Sequence, residues 1–142
     1  MMKTRTVVIT GSARGLGYEM AKCFRKKNYN VVISDLNKKD IDKAKKEILG
    51  IKGKGEVLAL VCDITKDKDI INLISKSNSK FKCIDIWVNN AGVNQPDKMI
   101  WELSSDEIRR MIEIDLTSTM VASRYIMEEM IRVYHGAIYM VE

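Results

Sequence analysis

The apolar positions of this chain change period as it proceeds, and the changes mark out its elements. Thr6-Val7-Val8-Ile9 is a short β-branched run that reads as a buried strand. Leu16, Met20 and Phe24 follow at four-residue spacing, one face of a helix. Asn28-Tyr29-Asn30 reads as a turn, and Val31-Val32-Ile33-Ser34 as a second strand ending at Asp35. Ile41, Ala44, Ile48 and Leu49 predict an amphipathic helix over 40–49, lysine-rich on its solvent face and ended by residues 50–55. Residues 56–62 are nearly all apolar, as expected of an interior parallel strand. Ile70, Ile71, Leu73 and Ile74 mark a third helix within 66–80, and Ile84-Asp85-Ile86-Trp87-Val88 a fourth strand. Ser104 and Glu107 form a capping box that opens one long helical stretch to about residue 132. It carries Ile108, Met111, Ile112, Leu116, Met120, Ile126, Met127, Met130 and Ile131. Ala137-Ile138-Tyr139-Met140-Val141 is a fifth strand.

Strands alternating with helices predict an α/β domain, an open, doubly wound, Rossmann-like parallel sheet of five strands spanning residues 1–142. Ligands of such sheets bind beyond the carboxyl ends of the strands. Here those ends carry a glycine turn, Asp35, Asp63 and Asn89-Asn90-Ala91-Gly92, so polar and glycine-rich groups converge on one edge.

Composition narrows the class. The 142 residues are 46% apolar and 30% charged, a globular balance for one domain. No apolar run is long enough for a signal peptide or a membrane span, so a soluble cytoplasmic protein is expected. The three cysteines, Cys23, Cys62 and Cys83, lack zinc spacing and are expected as reduced thiols packed as small apolar groups. A single histidine, His135, excludes a histidine-rich metal site, and no metal is expected. The net charge of +5 comes from lysines interspersed with acids on predicted helices and loops. A nucleic-acid face would interleave arginine with aromatic residues on one stripe, so no nucleic-acid partner is expected.

The chemistry concentrates in Thr10-Gly11-Ser12-Ala13-Arg14-Gly15-Leu16-Gly17, between the first strand and the first helix. A pyrophosphate needs backbone N–H groups, the positive end of a helix dipole and room to approach. Gly11 permits a sharp turn, Gly15 removes a side chain where phosphate would sit, and Gly17 lets the helix press on the sheet. A plain turn is the alternative. Asp35 lies 18 residues past Gly17, where an acid meets an adenosine ribose. Its carboxylate would repel a 2′-phosphate, by roughly 1 kcal/mol in water and about 4 at an effective dielectric near 20 for unit charges about 4 Å apart. NAD is therefore expected over NADP, although Arg14 in the turn argues for the phosphate. Asp35 also suits an N-cap of the second helix, and Asp63 either an adenine contact or a cap of the third.

The Gly-x-x-x-Gly-x-Gly turn, Asp35, Asp63-Ile64-Thr65 and Asn89-Asn90-Ala91-Gly92, in this order and spacing, resemble the short-chain dehydrogenase/reductase family. Segments 84–92 and 136–142 resemble its chlorophyll b reductase-like branch. The resemblance implies an oxidoreductase moving a hydride between NAD(P) and a small carbonyl or alcohol substrate. It implies that Ser12 and Leu16 touch the phosphates, Asp35 the ribose, Asp63 and Ile64 the adenine, and Asn90, Ala91 and Gly92 the cofactor's underside. Family members usually associate, so a homo-oligomer is expected.

Two departures stand out. Where the family has an Asn in the long helix, this chain has Asp115, a candidate catalytic position that as a carboxylate accepts but cannot donate. The family's catalytic Ser and Tyr-x-x-x-Lys fall beyond the fifth strand, outside these residues, which suggests a chain truncated before the last helices and strands. Exposed apolar surface is then expected around Met120, Met127, Tyr139 and Val141. The one Tyr-x-x-x-Lys match, Tyr18 to Lys22, lies on the first helix at the phosphate end and is read as a decoy. The rival reading is a non-catalytic dinucleotide-binding or regulatory module.

Overall fold

The computed structural model describes residues 3–94 and 96–141. Its elements are β1 (Thr6–Ile9), α1 (Gly15–Lys26), β2 (Asn30–Asp35), α2 (Lys38–Leu49), β3 (Val57–Val61), α3 (Asp67–Phe81) and β4 (Ile86–Asn89). A 3-10 turn (Ile100–Glu102), α4 (Ser105–Met111), a π-helical segment (Ile112–Thr117), α5 (Ser118–Arg132) and β5 (Ala137–Met140) complete it. Among the described residues the five strands form one parallel sheet in the order β3-β2-β1-β4-β5.

Alternate residues of the central strands point to opposite faces, which divides the core in two. Val8, Val32 and Trp87 pack under α3 and α5 with Ile70, Leu73, Ile74 and Ile126. Val7, Ile9, Val31 and Ile33 pack under α1 and α2 with Ala21, Ile41, Ala44 and Ile48. β1 lies at the centre of the sheet and is wholly buried, so its end is the natural floor for a site.

Five expectations are corrected. The run 56–62 is not an interior strand: β3 is an edge, and its residues beyond Val57 are half-buried or exposed. Continuous apolarity there answers to the helix layers on both faces rather than to a second neighbouring strand. The buried stripe of α1 is Gly17, Ala21 and Arg25, one residue on from the predicted Leu16, Met20 and Phe24. Leu16 is 60% exposed, because α1 meets the sheet through its small residues. The long helix is interrupted at Ile112–Thr117, where the chain widens to a π turn and the Ser118 hydroxyl donates to the Glu113 carbonyl at 2.7 Å. Cys23 is exposed rather than packed, while Cys62 is buried, and burial pushes its thiol up to about 12. The expected apolar surface is present at Met120, Met127 and Tyr139, but Val141 is half-buried against the α1 and α2 side of the core.

Candidate functional site

The carboxyl ends of β1, β2, β3 and β4 bring the glycine turn, Asp35, Asp63 and the Asn89-to-Gly92 residues to one edge, and a hydrogen-bond net sets their geometry. The Thr10 hydroxyl accepts from the backbone N–H groups of Asn90 and Ala91, both at 3.0 Å. In return the Asn90 amide donates to the carbonyls of Thr10 at 3.0 Å and Gly11 at 2.9 Å. Two loops 80 residues apart in sequence are thereby fastened as one. Thr10, a motif residue to which the sequence assigns no role, is the fastener.

Ser12 is fully buried. Its hydroxyl donates to the Ile9 carbonyl at 2.7 Å and accepts from the Ser34 N–H at 3.1 Å. That side chain is committed to joining β1 and β2, so it does not face the edge where the resemblance put a phosphate contact.

Gly11 and Gly15 both have positive φ, 59° and 61°, which folds the turn back on itself before α1 begins. A Cβ added at Gly15 would meet nothing within 4 Å, so this residue borders open space. Gly17 is the opposite case. A Cβ there would run into the Asn90 amide and approach the Gly11 oxygen to 2.8 Å and Ser12 Cα to 3.0 Å. The N-cap of α1 is Arg14, an exposed residue that places no side-chain cap on the helix, and the first turn holds no acid. The initial amides and the positive end of the helix dipole therefore face the open hollow beside Gly15. Leu16 stands exposed at its rim.

Asp35 closes the other side of the turn. Its Oδ2 accepts from the Ala13 N–H at 3.2 Å and its Oδ1 from the Leu36 N–H at 2.8 Å. It does not cap α2; Asn37 does, accepting from the N–H groups of Lys39 at 2.9 Å and Asp40 at 3.3 Å. Asp63 does not cap α3 either, whose N-cap is Lys66. One Asp63 oxygen accepts from the Thr65 hydroxyl at 2.7 Å and the Thr65 N–H at 3.0 Å. The Thr65 hydroxyl above all holds this carboxyl below the ordinary aspartate range. Asp69, unremarked in the sequence, accepts from the Asp63 N–H at 3.0 Å and fixes the turn. Ile64 is half-buried and packs against the α3 side of the core.

Asn89 is structural: it accepts from the Trp87 indole N–H at 2.8 Å and donates to Ser123 at 2.9 Å. Asp115, within the π segment, accepts the Val93 N–H at 2.8 Å. A Cβ on Gly92 would come within 3.1 Å of the same carboxylate oxygen, so Gly92 is what lets Asp115 close over the loop.

The Tyr18–Lys22 pair is engaged elsewhere. Tyr18 donates to Glu47 at 2.5 Å, and this bond raises its phenol to about 12, the wrong direction for a proton-transfer residue. Lys22 pairs with Glu19 at 2.9 Å. His135 sits at the opposite end of the sheet, its Nε2 2.7 Å from buried Asp85. No helix among the described residues is long and apolar enough to cross a membrane.

The short-chain dehydrogenase family model matches residues 5–142. The chlorophyll(ide) b reductase NOL of Oryza sativa subsp. japonica is 34% identical over 125 residues, covering 87% of this chain and 36% of that protein. Its Arabidopsis thaliana counterpart is 32% identical, covering 92% and 37% respectively. The chain thus spans little more than a third of the length of these curated relatives. A short chain dehydrogenase from Mycobacterium smegmatis superposes with a TM-score of 0.88 at 30% identity, over 97% of this chain and 57% of that one. A metagenomic short-chain oxidoreductase solved in complex with NADP superposes at 0.87 with 22% identity, over 97% and 62%, a likeness of fold.

Proposed function

The chain belongs to the short-chain dehydrogenase family, and we propose that it is the nicotinamide-dinucleotide-binding part of an oxidoreductase acting on a carbonyl or alcohol. The observation that carries this reading is the hollow at Gly15, where a left-handed glycine with no neighbour for a Cβ adjoins a helix start that no side chain caps. A pyrophosphate fits that combination of free amides, dipole and space. In this reading the backbone of Gly15, Leu16 and Gly17 holds the phosphates, with Arg14 at the rim. Asp35 takes the ribose hydroxyls, Asp63 and Ile64 adjoin the adenine, and Asn90, Ala91 and Gly92 line the nicotinamide side. The bound cofactor supplies or accepts the hydride; the protein's part is to orient it and exclude water around it.

The Asp35 carboxylate favours NAD over NADP. Its oxygens are already positioned by two backbone N–H groups, so it cannot withdraw from a 2′-phosphate without breaking them. Calorimetric titration with both dinucleotides tests the proposal. NAD binding more tightly than NADP is expected; silence for both overturns the cofactor assignment, and tighter NADP overturns the Asp35 argument. The exposed apolar residues of α4, the π segment and α5 support association with a second copy of the chain, testable by size-exclusion chromatography with light scattering.

The alternative is a dinucleotide-binding module without turnover; Tyr18 and Lys22, tied to acids on α1 and α2, do not decide between the two. Sequencing the locus beyond residue 142 distinguishes the two: an in-frame Ser and a further Tyr-x-x-x-Lys support catalysis.

A further inference from the structure

The amino-terminal edge of the sheet, opposite the hollow, gathers Lys3, Cys83, Asp85 and His135. Sheet register brings them together. β1 and β4 pair with Val7 level with Ile86, and Asp85 continues that pairing into the segment ahead of both strands. Its N–H donates to the Thr6 carbonyl at 2.9 Å and its Oδ2 accepts from the Thr6 N–H at 2.7 Å. Lys82 ends α3 in the left-handed conformation, φ 73°, and its N–H donates to the Asn78 carbonyl at 2.7 Å. That reversal presents Cys83 at the head of β4. Lys3 Nζ lies 2.6 Å from Cys83 Sγ and donates a hydrogen bond to it. Lys3 is exposed and Cys83 half-buried, so a small oxidant reaches both. Asp85 Oδ1 is 4.0 Å from the same sulfur and 2.7 Å from His135 Nε2.

We propose that Lys3 and Cys83 are a modification site, forming an oxidant-dependent sulfenamide bridge that staples the residues ahead of β1 to the head of β4. Hydrogen peroxide supplies the oxidising equivalent. Its O–O bond breaks as the Cys83 sulfur takes one oxygen, giving the sulfenic acid and one water. The Lys3 nitrogen then attacks that sulfur: an N–S bond forms, the S–O bond breaks, and the hydroxyl leaves with an amine proton as a second water. Sulfur ends two electrons more oxidised and the peroxide two electrons reduced. A near-attack arrangement needs reacting atoms within about 3–3.5 Å, and this contact already lies inside that range. External thiol reverses the bridge by taking the sulfur and returning the amine. The Cys83 contact, with the Asp85 charge adding to it and His135 on that carboxylate's other side, holds the Lys3 ammonium above the ordinary lysine range. The unprotonated amine is therefore scarce near neutrality, and bridging quickens as pH rises.

The test treats the reduced chain with a small molar excess of hydrogen peroxide at neutral and mildly alkaline pH, followed by peptide mapping with mass spectrometry. The expected product is a linked Lys3–Cys83 peptide lacking two hydrogens and carrying no added oxygen. It should be more abundant at the higher pH and lost on adding dithiothreitol. Mapping separates it from methionine sulfoxides, which gain oxygen. Lys3→Arg keeps the surface charge, abolishes the link and sends Cys83 on to sulfinic acid. Cys83 reaching sulfinic acid in the unaltered chain with Lys3 unlinked would overturn the proposal. So would a Cys83 disulfide, or a link that retains oxygen. None of these outcomes depends on dinucleotide binding, so failure here leaves the proposed function standing.

Discussion

Alanine at Gly17 and alanine at Gly15 should fail in opposite ways. At Gly17 the new methyl meets two backbone atoms within 3.0 Å, Gly11 O and Ser12 Cα, and the Asn90 amide closer still. Backbone cannot give way as a side chain can, so α1 must lift from the turn. Overpacking of that kind costs about 1–3 kcal/mol. Lifting also stretches the Asn90 bonds to the Thr10 and Gly11 carbonyls, worth about 1 kcal/mol each. The sum, roughly 3–5 kcal/mol, should lower Tm by about 10–20 °C for a domain of this length. At Gly15 nothing lies within 4 Å, and only the positive φ of 61° is penalised, about 1–2 kcal/mol less a few tenths from the stiffer unfolded chain. Its Tm should fall by only about 3–5 °C, but the methyl stands in the hollow and NAD affinity should drop at least tenfold. Differential scanning fluorimetry and calorimetric titration on both variants decide the matter. Gly17→Ala melting with the parent, or Gly15→Ala binding NAD as the parent does, would refute the assignment of packing to one glycine and ligand space to the other.

Asp35→Asn keeps an oxygen for the Ala13 or Leu36 N–H and removes the charge. The NAD-to-NADP affinity ratio should fall by about tenfold or more, as the Coulomb term of ~1–4 kcal/mol is lost, and an unchanged ratio would count against Asp35 as the discriminator. Asp115→Ala should speed hydrogen exchange at the Val93 amide, whose acceptor it removes, whereas Asp115→Asn retains an acceptor and should not. Asp63 and Glu107 hold their protons more loosely in the folded chain than an unfolded acid does, Asp63 chiefly through the Thr65 hydroxyl and Glu107, at about 2, chiefly through Lys98. Their contribution is therefore complete above about pH 4–5 and is lost as pH falls through the folded values. Tm followed from pH 6 to pH 2 should decline over that acid range, less steeply in Thr65→Val and Glu107→Gln.

What the sequence made legible is what local chemistry decides. Strand positions and the capping box at Ser104 each depend on residues within a few positions of one another, and the structure places them as read. The edge position of β3 depends on which strand lies beside which, and a run of apolar residues is silent about that. The burial of Gly17, Ala21 and Arg25 was hidden for a different reason. Small residues bring helix and sheet backbones together without any hydrophobic signal, and Arg25 enters the interior with its guanidinium donating to the Gly55 carbonyl. The π turn has no periodic signature at all: Ile112, Leu116 and Met120 look like an unbroken stripe, yet all three are more than half exposed.

The wiring of the helix ends argues for what the carboxyl edge is built to receive. α2 begins on Asn37, which accepts two first-turn amides, and α4 begins on the reciprocal Ser104–Glu107 pair. α3 lacks a capping side chain but carries Asp67 and Asp69 in its first turn, so negative charge meets its dipole. α1 has neither: an arginine stands at its N-cap and glycine opens the helix. α5 continues from the π segment, so among the described residues α1, beside the central strand, is the helix whose free start is left bare, which supports the proposed anion site there. The same economy explains why Ser12, the nearest hydroxyl, is turned inward. Spent on Ile9 and Ser34, it fixes the floor of the hollow and leaves its opening to backbone alone.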